Sequence, residues 1–190
     1  MAVIAVVVAK FQSDLGSTAV MIAIIGVTAF VAGLPLKRIA LITAVIVAGL
    51  FLLISTTQYR RDRVATFLNP TADCQTGGYQ ACQALIAVGS GGMFGLGLGK
   101  SVQAYGYLPE AANDSIFAIL AEKFGFIGVT IVLGLYMALF ARMKQIVERT
   151  ADVYNRLIVV GVMVWLSVQA MINIGAMIGL LPLKGITLPF

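Results

Sequence analysis

The sequence has no histidine, few charged residues and only two cysteines, and each shortage excludes a class of function. Without histidine, the chain lacks the commonest general base and the commonest metal ligand, so carboxylates are left for acid or base chemistry. Two cysteines are too few for a structural zinc site, which takes four ligands. No block of Lys and Arg is interleaved with aromatic residues, which argues against nucleic acid as a partner.

The scarcity of charge also decides the fold class. Charged residues make up 11% of the chain and hydrophobic residues 60%, and the mean hydropathy is +0.99. In a soluble domain about a quarter of the residues are charged. The composition therefore predicts an all-α, polytopic transmembrane helix bundle.

Long apolar runs predict where the chain crosses the membrane, since about 20 apolar residues span a hydrocarbon core of about 30 Å. Between the second and third full runs, residues 58–114 contain no window long enough to cross, which predicts one long loop. We therefore predict a single, partial membrane domain over 1–190. Its predicted spans are 1–9 (the tail of a span), 15–36, 39–57, 115–141 and 157–181.

The polar stretch from 89 to 117 is where chemistry is expected. It reads GSGGMFGLGLGKSVQAYGYLPEAANDSIF and contains Lys100, Glu110 and Asp114. Gly91, Gly95 and Gly99 recur every four residues. In a helix these glycines would form one stripe for close packing, and the alternative is that they let the backbone approach a ligand.

Two cysteines lie in the predicted loop, eight residues apart, at Cys74 and Cys82. They predict a disulfide if the loop faces an oxidising exterior, and two free thiols remain the alternative. The basic residues outside the predicted spans divide equally between the two sides of the membrane, six against six, so their count leaves the side of the loop open.

Polar side chains also occur inside the predicted spans. Glu122 and Lys123 lie near the start of the third full span, and a rotation of about 100° between neighbours keeps them from pairing. Gln169 and Asn173 are four residues apart on one face of the last span. Amides at that spacing are typical of hydrogen bonding between membrane helices.

The succession RRDRVATFLNP, then GGYQACQALIAVGSGGMFGLGLGKSVQAYGYLPEAANDSIFAILAEKFGFIG, resembles the SEDS family (shape, elongation, division and sporulation). QSDLGST at 12–18 is similar to that family's QPDLGT. The motifs GLGKSVQ and YGYLPEA are closer to the FtsW-like division branch than to the RodA-like elongation branch. The resemblance covers essentially the whole chain. It implies a fragment of a SEDS-type ten-helix fold with 58–114 as a long extracytoplasmic loop.

The resemblance also implies a function. It implies a peptidoglycan glycosyltransferase that polymerises lipid II, the undecaprenyl-diphosphate-linked disaccharide peptide, into glycan strands during cell division. The expected partners are a class B penicillin-binding protein and other divisome membrane proteins, and the expected location is the bacterial cytoplasmic membrane, multi-pass, at the division septum. The family's essential carboxylate lies in PEAHTDFIFA, and the matching residue is Asp114. Ala112, Asn113 and Ser115 replace the usual His, Thr and Phe.

Inverting glycosyl transfer needs a base for the attacking hydroxyl and positive charge beside the departing diphosphate. The resemblance makes Asp114 the base. Glu110 is a candidate for orienting the substrate, with a solvated loop acid as the alternative. No cofactor is assigned, and a divalent cation, Mg²⁺ or Mn²⁺, is compatible with Asp114 or Glu110. The candidates for binding the diphosphate, for which anchoring to lipid head groups is the alternative, are Arg60, Arg61, Arg63 and Lys100.

Two other functional classes stay open. A lipid II flippase or transporter would use a cavity lined by buried charges such as Glu122 and Lys123, and would need no base on the outer loop. A non-catalytic divisome scaffold would tolerate the loss of every loop carboxylate.

Overall fold

The computed structural model describes residues 15–55, 74–75, 78–183 and 185–189. In this part of the chain there are helices and turns and no strand, so the all-α prediction is confirmed. A short 3-10 turn at Gln103–Tyr105 precedes the long fourth helix. The α-helices are α1 (Leu15–Val31), α2 (Leu36–Ser55), α3 (Tyr79–Ser90), α4 (Ile116–Arg149) and α5 (Val153–Met177).

Four of these helices overlap the full-length spans predicted from the sequence, namely α1, α2, α4 and α5. Helices α4 and α5 are 34 and 25 residues long, and each is apolar enough to cross a membrane. Helix α3 lies inside the predicted loop 58–114. The predicted tail at 1–9 and the side chains of Arg60, Arg61 and Arg63 lie outside the described residues.

The chain divides into two compact units. The first unit consists of 1–58 and 137–168, and the second consists of 59–136 and 169–190. Asp114, Glu110, Lys100 and both cysteines belong to the second unit. The candidate site is therefore contained in that unit.

In the first unit, α1 and α2 form a hairpin around Gly33. The N–H groups of Gly33 and Leu34 donate to the carbonyls of Phe30 and Ala29, each at 3.0 Å, which closes the end of α1. Gly33 has a φ of 95°, a left-handed conformation that glycine adopts without steric cost. Pro35 follows, and proline suits the start of a helix because it has no N–H to leave unbonded.

In the second unit, α3 is tied to the chain before it by a disulfide between Cys74 and Cys82. The Cys82 side chain is buried, and its N–H donates to the Gly78 carbonyl at 3.0 Å in the first turn of α3. The cross-link therefore holds the start of α3, and α3 in turn contacts the candidate site described below.

Thiol labelling of spheroplasts that express the full-length protein tests both the disulfide and the side of the loop. We expect a membrane-impermeant reagent to label Cys74 only after reduction, and without permeabilisation. The half-buried Cys74 should react faster than the buried Cys82. A Cys74→Ser, Cys82→Ser double variant supplies the background from any other thiol. Labelling without reductant would contradict the disulfide, and labelling only after permeabilisation would contradict the orientation.

Candidate functional site

Asp114 lies on a tight turn at 109–115, here called the Asp114 turn. The backbone N–H groups of Asn113 and Ser115 both donate to the carbonyl of Glu110, at 3.0 and 3.1 Å. Glu110 has a φ of 51°, in the left-handed region that lets the chain reverse. The Ser115 hydroxyl donates to the Pro109 carbonyl at 3.1 Å. These bonds fix the backbone that carries the Asp114 carboxylate.

Ser115 connects the Asp114 turn to α3. Its side chain is fully buried, and its hydroxyl accepts a hydrogen bond from Gln80 Nε2 at 3.3 Å. Gln80 lies in the first turn of α3, two residues before Cys82. Ser115 replaces the Phe that the SEDS resemblance would place there, so a polar contact from α3 supports this side of the Asp114 turn.

The Asp114 carboxylate is half-buried. Burial raises the pKa of Asp114 above its ordinary value of 3.8, and the nearby charge of Glu110 raises that pKa further. A methyl group on Gly185 would lie 3.0 Å from Asp114 Oδ2, so the carboxylate lies against the backbone of the C-terminal segment, residues 185–189. A carboxylate with a raised pKa in a partly enclosed site is a candidate for proton transfer.

Asn173, from α5, holds the backbone on both sides of this carboxylate. Its Nδ2 donates to the carbonyls of Asp114 and Ile186, each at 2.7 Å. Gln169, one turn earlier, donates to the Thr187 carbonyl at 3.0 Å. The expected bonding between helices is therefore wrong for these amides, because both reach non-helical carbonyls that have no helix hydrogen bond of their own.

Glu110 is the second carboxylate of the Asp114 turn. Its Oε2 accepts a hydrogen bond from Asn113 Nδ2 at 2.6 Å. The described residues include no group of three or more His, Cys, Asp or Glu side chains that could hold a metal ion. Proteins commonly bind Mg²⁺ through only one or two carboxylates together with substrate phosphates, so Glu110 and Asp114 fit the chemistry of that cation.

An apolar groove of about 460 Å³ opens beside the Asp114 turn. Lys123 is the charged side chain in its lining. From the sequence, Lys123 was named only as a cavity-lining charge of the flippase alternative and not as a candidate for the diphosphate, although a cation in the first turns of an apolar helix was a usable signal. Lys100, which was assigned, is exposed and is not in the lining. The lining residues are Leu98, Ala104, Ala111, Ala112, Ile116, Ile119, Leu120, Lys123 and Phe124.

Helix α4 is interrupted at Gly125, where φ is 65° and ψ is −164°. The segment 91–97, here called the glycine loop, lies against this interruption. Four backbone hydrogen bonds of 2.9 to 3.2 Å join the two, so peptide groups released by the break find partners in the glycine loop. With the donor first, they are Leu96 to Glu122, Gly97 to Lys123, Phe126 to Gly92 and Ile127 to Met93.

Glycines are required at this contact, but not as the predicted helical stripe. A β-carbon at Gly91 would overlap the carbonyl oxygen of Ala121, and one at Gly95 would overlap that of Lys123. Gly95 has a φ of 79°, so it is not helical, and Gly99 is surrounded by open space. The stripe prediction was wrong because α3 ends at Ser90, before the repeat begins.

Glu122 anchors the chain that follows the glycine loop. Its side chain is buried, and its carboxylate accepts hydrogen bonds from the Ser101 hydroxyl and from the N–H groups of Val102 and Gln103, the last two at 2.9 and 3.1 Å. Glu122 makes no ion pair with Lys123 in the described part of the chain. One buried carboxylate therefore fixes the start of the 3-10 turn that leads to the Asp114 turn.

Comparison with protein families accounts for the whole chain. The model of the cell cycle proteins FtsW, RodA and SpoVE matches residues 1–190. The chain belongs to the FtsW, RodA and SpoVE family. The SEDS resemblance is thus confirmed. Together with the two apolar helices of membrane-spanning length, family membership makes this chain part of a membrane protein.

Individual relatives agree with this family assignment. The chain is 44% identical over 181 residues to a probable peptidoglycan glycosyltransferase FtsW of Thioalkalivibrio sulfidiphilus, covering 94% of this chain and 45% of the relative. It is 42% identical over 179 residues to the stage V sporulation protein E of Bacillus subtilis, covering 94% and 49%. The chain therefore spans about half the length of the curated relatives it matches.

Solved structures of the FtsW, RodA and SpoVE family share the fold. One is a chain from a study of the structural coordination of polymerization and crosslinking by a peptidoglycan synthase complex, with a TM-score of 0.74 and 28% identity over 95% of this chain and 50% of that one. Another is a mutant of the rod shape determining protein RodA of Thermus thermophilus, with a TM-score of 0.59 and 26% identity over 98% and 45%.

Substitution of the glycine loop tests its packing against α4. We expect Gly95→Ala to lower the free energy of unfolding by about 1 to 3 kcal/mol, because the new methyl overlaps a backbone carbonyl and forced overpacking costs that much. The measurement is the melting temperature of the full-length protein in detergent. Gly99→Ala is the matched control, since its methyl enters open space. Equal melting temperatures for the two variants would contradict the packing role.

Proposed function

We propose that this chain is the catalytic half of a peptidoglycan glycosyltransferase that polymerises lipid II, with Asp114 as its general base. The observation that carries the proposal is a half-buried carboxylate of raised pKa beside an apolar groove. Membership of the FtsW, RodA and SpoVE family supports it, as do relatives at 44% and 42% identity that are named probable peptidoglycan glycosyltransferases.

In the proposed reaction, a sugar hydroxyl attacks the anomeric carbon of a lipid-linked glycan. The new carbon–oxygen bond forms on the face opposite the diphosphate, so the configuration inverts. As this bond forms, the Asp114 carboxylate takes the proton of the hydroxyl. The bond between the anomeric carbon and the diphosphate oxygen breaks, and the diphosphate leaves with the electron pair. A positioned base contributes about 10² to 10⁴-fold to such a step.

The donor needs an apolar surface for its isoprenoid chain and positive charge for its diphosphate. The groove supplies apolar walls, and Lys123 supplies a cation in the same lining. Arg60, Arg61 and Arg63 keep their assignment to the diphosphate from the sequence, as does the exposed Lys100. Arginine is suited to this role because its planar fork matches two phosphate oxygens.

The partner assigned to the whole protein is a class B penicillin-binding protein, which would crosslink the strands as they form. The similar chain from a peptidoglycan synthase complex that joins polymerization to crosslinking supports this assignment. Because the sequence resembles the FtsW-like branch, we propose that the whole protein is a multi-pass protein of the bacterial cytoplasmic membrane at the division septum. There it would assemble with other divisome membrane proteins.

The environment of Glu122 favours the enzyme over the flippase. A transporter would use buried charge that is free to bind cargo or protons. The Glu122 carboxylate is instead occupied by three donors from 101–103. This carboxylate serves the fold of the loop, whereas the half-buried Asp114 carboxylate stays available for chemistry.

Replacement of the base tests the proposal directly. We expect Asp114→Asn to lower lipid II polymerisation by about 10² to 10⁴-fold, because the amide keeps the size of the carboxylate but does not accept the proton. The measurement uses the purified full-length protein with its penicillin-binding protein. Asp152→Asn is the matched control, since Asp152 is exposed, immediately precedes α5, and has a carboxylate that accepts the Asn155 N–H at 3.1 Å. Retained polymerisation by Asp114→Asn, or loss of lipid transport in vesicles with polymerisation intact, would overturn the assignment.

The pH dependence of the rate gives a second test. Because the base works deprotonated and its pKa is raised, activity should fall as the pH drops through a midpoint above 3.8. The negative charge of Glu110 contributes to that increase, so Glu110→Gln should move the midpoint to lower pH. The measurement is kcat/KM against pH. Glu148→Gln, at the exposed end of α4, should leave the midpoint in place, and an equal shift in both variants would contradict the coupling.

A further inference from the structure

The amide of Asn173 is the feature that the proposed reaction leaves unexplained. Asn173 is only 2% exposed, in the last two turns of α5, and both hydrogen bonds donated by its Nδ2 are short at 2.7 Å. One acceptor is the carbonyl of Asp114, 59 residues earlier in the chain, and the other is the carbonyl of Ile186, 13 residues later. A single nitrogen therefore bridges two segments that are far apart in sequence.

In the described residues, no backbone hydrogen bond joins the Asp114 turn to the C-terminal segment. Their separation next to the carboxylate is therefore set by side chains, and Asn173 is the side chain that bonds to both. If the Asn173 amide moved out of this geometry, the carbonyls of Asp114 and Ile186 would each lose a hydrogen bond, which is costly in a partly buried setting.

The Asp114 carboxylate lies in the space between the Asp114 turn and the C-terminal segment, here called the gap, so the width of the gap matters. The absence of a side chain at Gly185 leaves room for Asp114 Oδ2, since a methyl there would lie only 3.0 Å away. A shift of the Asp114 peptide or of the Ile186 peptide would change the distance between this carboxylate and the C-terminal segment. It would also change how much water reaches the carboxylate.

Gln169 offers a natural comparison within the same helix. Its Nε2 donates to the Thr187 carbonyl at 3.0 Å, so it holds the C-terminal segment, but it makes no hydrogen bond to the Asp114 turn. Gln169 is half-buried, whereas Asn173 is buried. Gln169 therefore holds the C-terminal segment alone, whereas Asn173 holds that segment and the Asp114 turn together. A comparison of the two residues distinguishes these roles.

We propose that Asn173 is a positioning residue for Asp114, which fixes the Asp114 turn and the C-terminal segment at the separation that the reactive carboxylate requires. This inference rests on the proposed function of Asp114 as the base. It adds that Asn173 holds the base through a hydrogen bond to the peptide carbonyl of Asp114 rather than to its carboxylate. Asn173 is 59 residues away in the sequence, on α5.

The ionisable groups around Asp114 define what a pH measurement reports. Glu110 faces it from the same turn. Gln80 from α3 and Asn173 from α5 reach this turn, and neither ionises. The C-terminal segment contains no ionisable side chain, and Lys184 lies outside the described residues. Among the described residues, burial and the charge of Glu110 are what raise the pKa of Asp114, so with Glu110 in place a change in the acid midpoint reports first on the burial of Asp114.

The test compares Asn173→Leu with Gln169→Leu in the full-length protein and its penicillin-binding protein, with lipid II as the substrate. We expect Asn173→Leu to lower kcat by about 10 to 100-fold, the loss typical of a misplaced catalytic group, with KM little changed. We also expect its acid midpoint to move to lower pH, because a carboxylate released from the gap is better hydrated. Gln169→Leu should keep the wild-type midpoint. A midpoint for Asn173→Leu equal to that of Gln169→Leu would overturn the inference.

A second variant covers the case in which Asn173→Leu does not fold. Gly185→Ala keeps Asn173 and narrows the gap from the other side, so it should also lower kcat and move the midpoint, and wild-type values for both would overturn the inference. Asp114→Asn is assayed in parallel. If it stays active, the proposed function fails and the inference fails with it. If Asp114→Asn is inactive while Asn173→Leu and Gly185→Ala both behave like Gln169→Leu, the inference alone fails.

Discussion

A helix that breaks in an apolar environment releases peptide groups that must find other partners, and in this chain the glycine loop supplies them. The interruption of α4 at Gly125 would leave N–H and C=O groups unbonded at a cost of a few kcal/mol for each buried group. Four bonds from 92–97 satisfy them. Because this contact is backbone against backbone, it tolerates no side chain at Gly91 or Gly95.

The remaining parts of the second unit follow from that contact. With the glycine loop fixed on α4, the carboxylate of Glu122 on the same helix holds residues 101–103 by three hydrogen bonds. The 3-10 turn then leads into the Asp114 turn, which α3 supports through Ser115 and α5 supports through Asn173. Three separate helices therefore define the position of one carboxylate, as a preorganised site requires.

The sequence predicted what depends on local pattern and missed what depends on distant contacts. Apolar runs predicted the helical class, because a chain with so few polar residues satisfies its backbone inside helices. The glycine repeat was misinterpreted, since the surface that requires it lies about 30 residues later, on α4. The partner of Asn173 is 59 residues away, so its spacing from Gln169 indicated a shared face but not the acceptors. The membrane boundaries and the role of Asp114 stay predictions.

In the glycine loop, backbone atoms hold the loop in place and side-chain atoms form its exposed surface. Its backbone makes the contact with α4, while the side chains of Met93 and Phe94 are 59% and 82% exposed. Those two side chains contact little else in this chain, so their replacement is expected to disturb its fold less than a side chain at Gly91 or Gly95 would. Evolution could therefore change the side chains on this surface, and the partners that the surface contacts, without altering the backbone contact with the interrupted α4. Evolution at this loop is expected to be rapid at its side chains and nearly silent at Gly91 and Gly95.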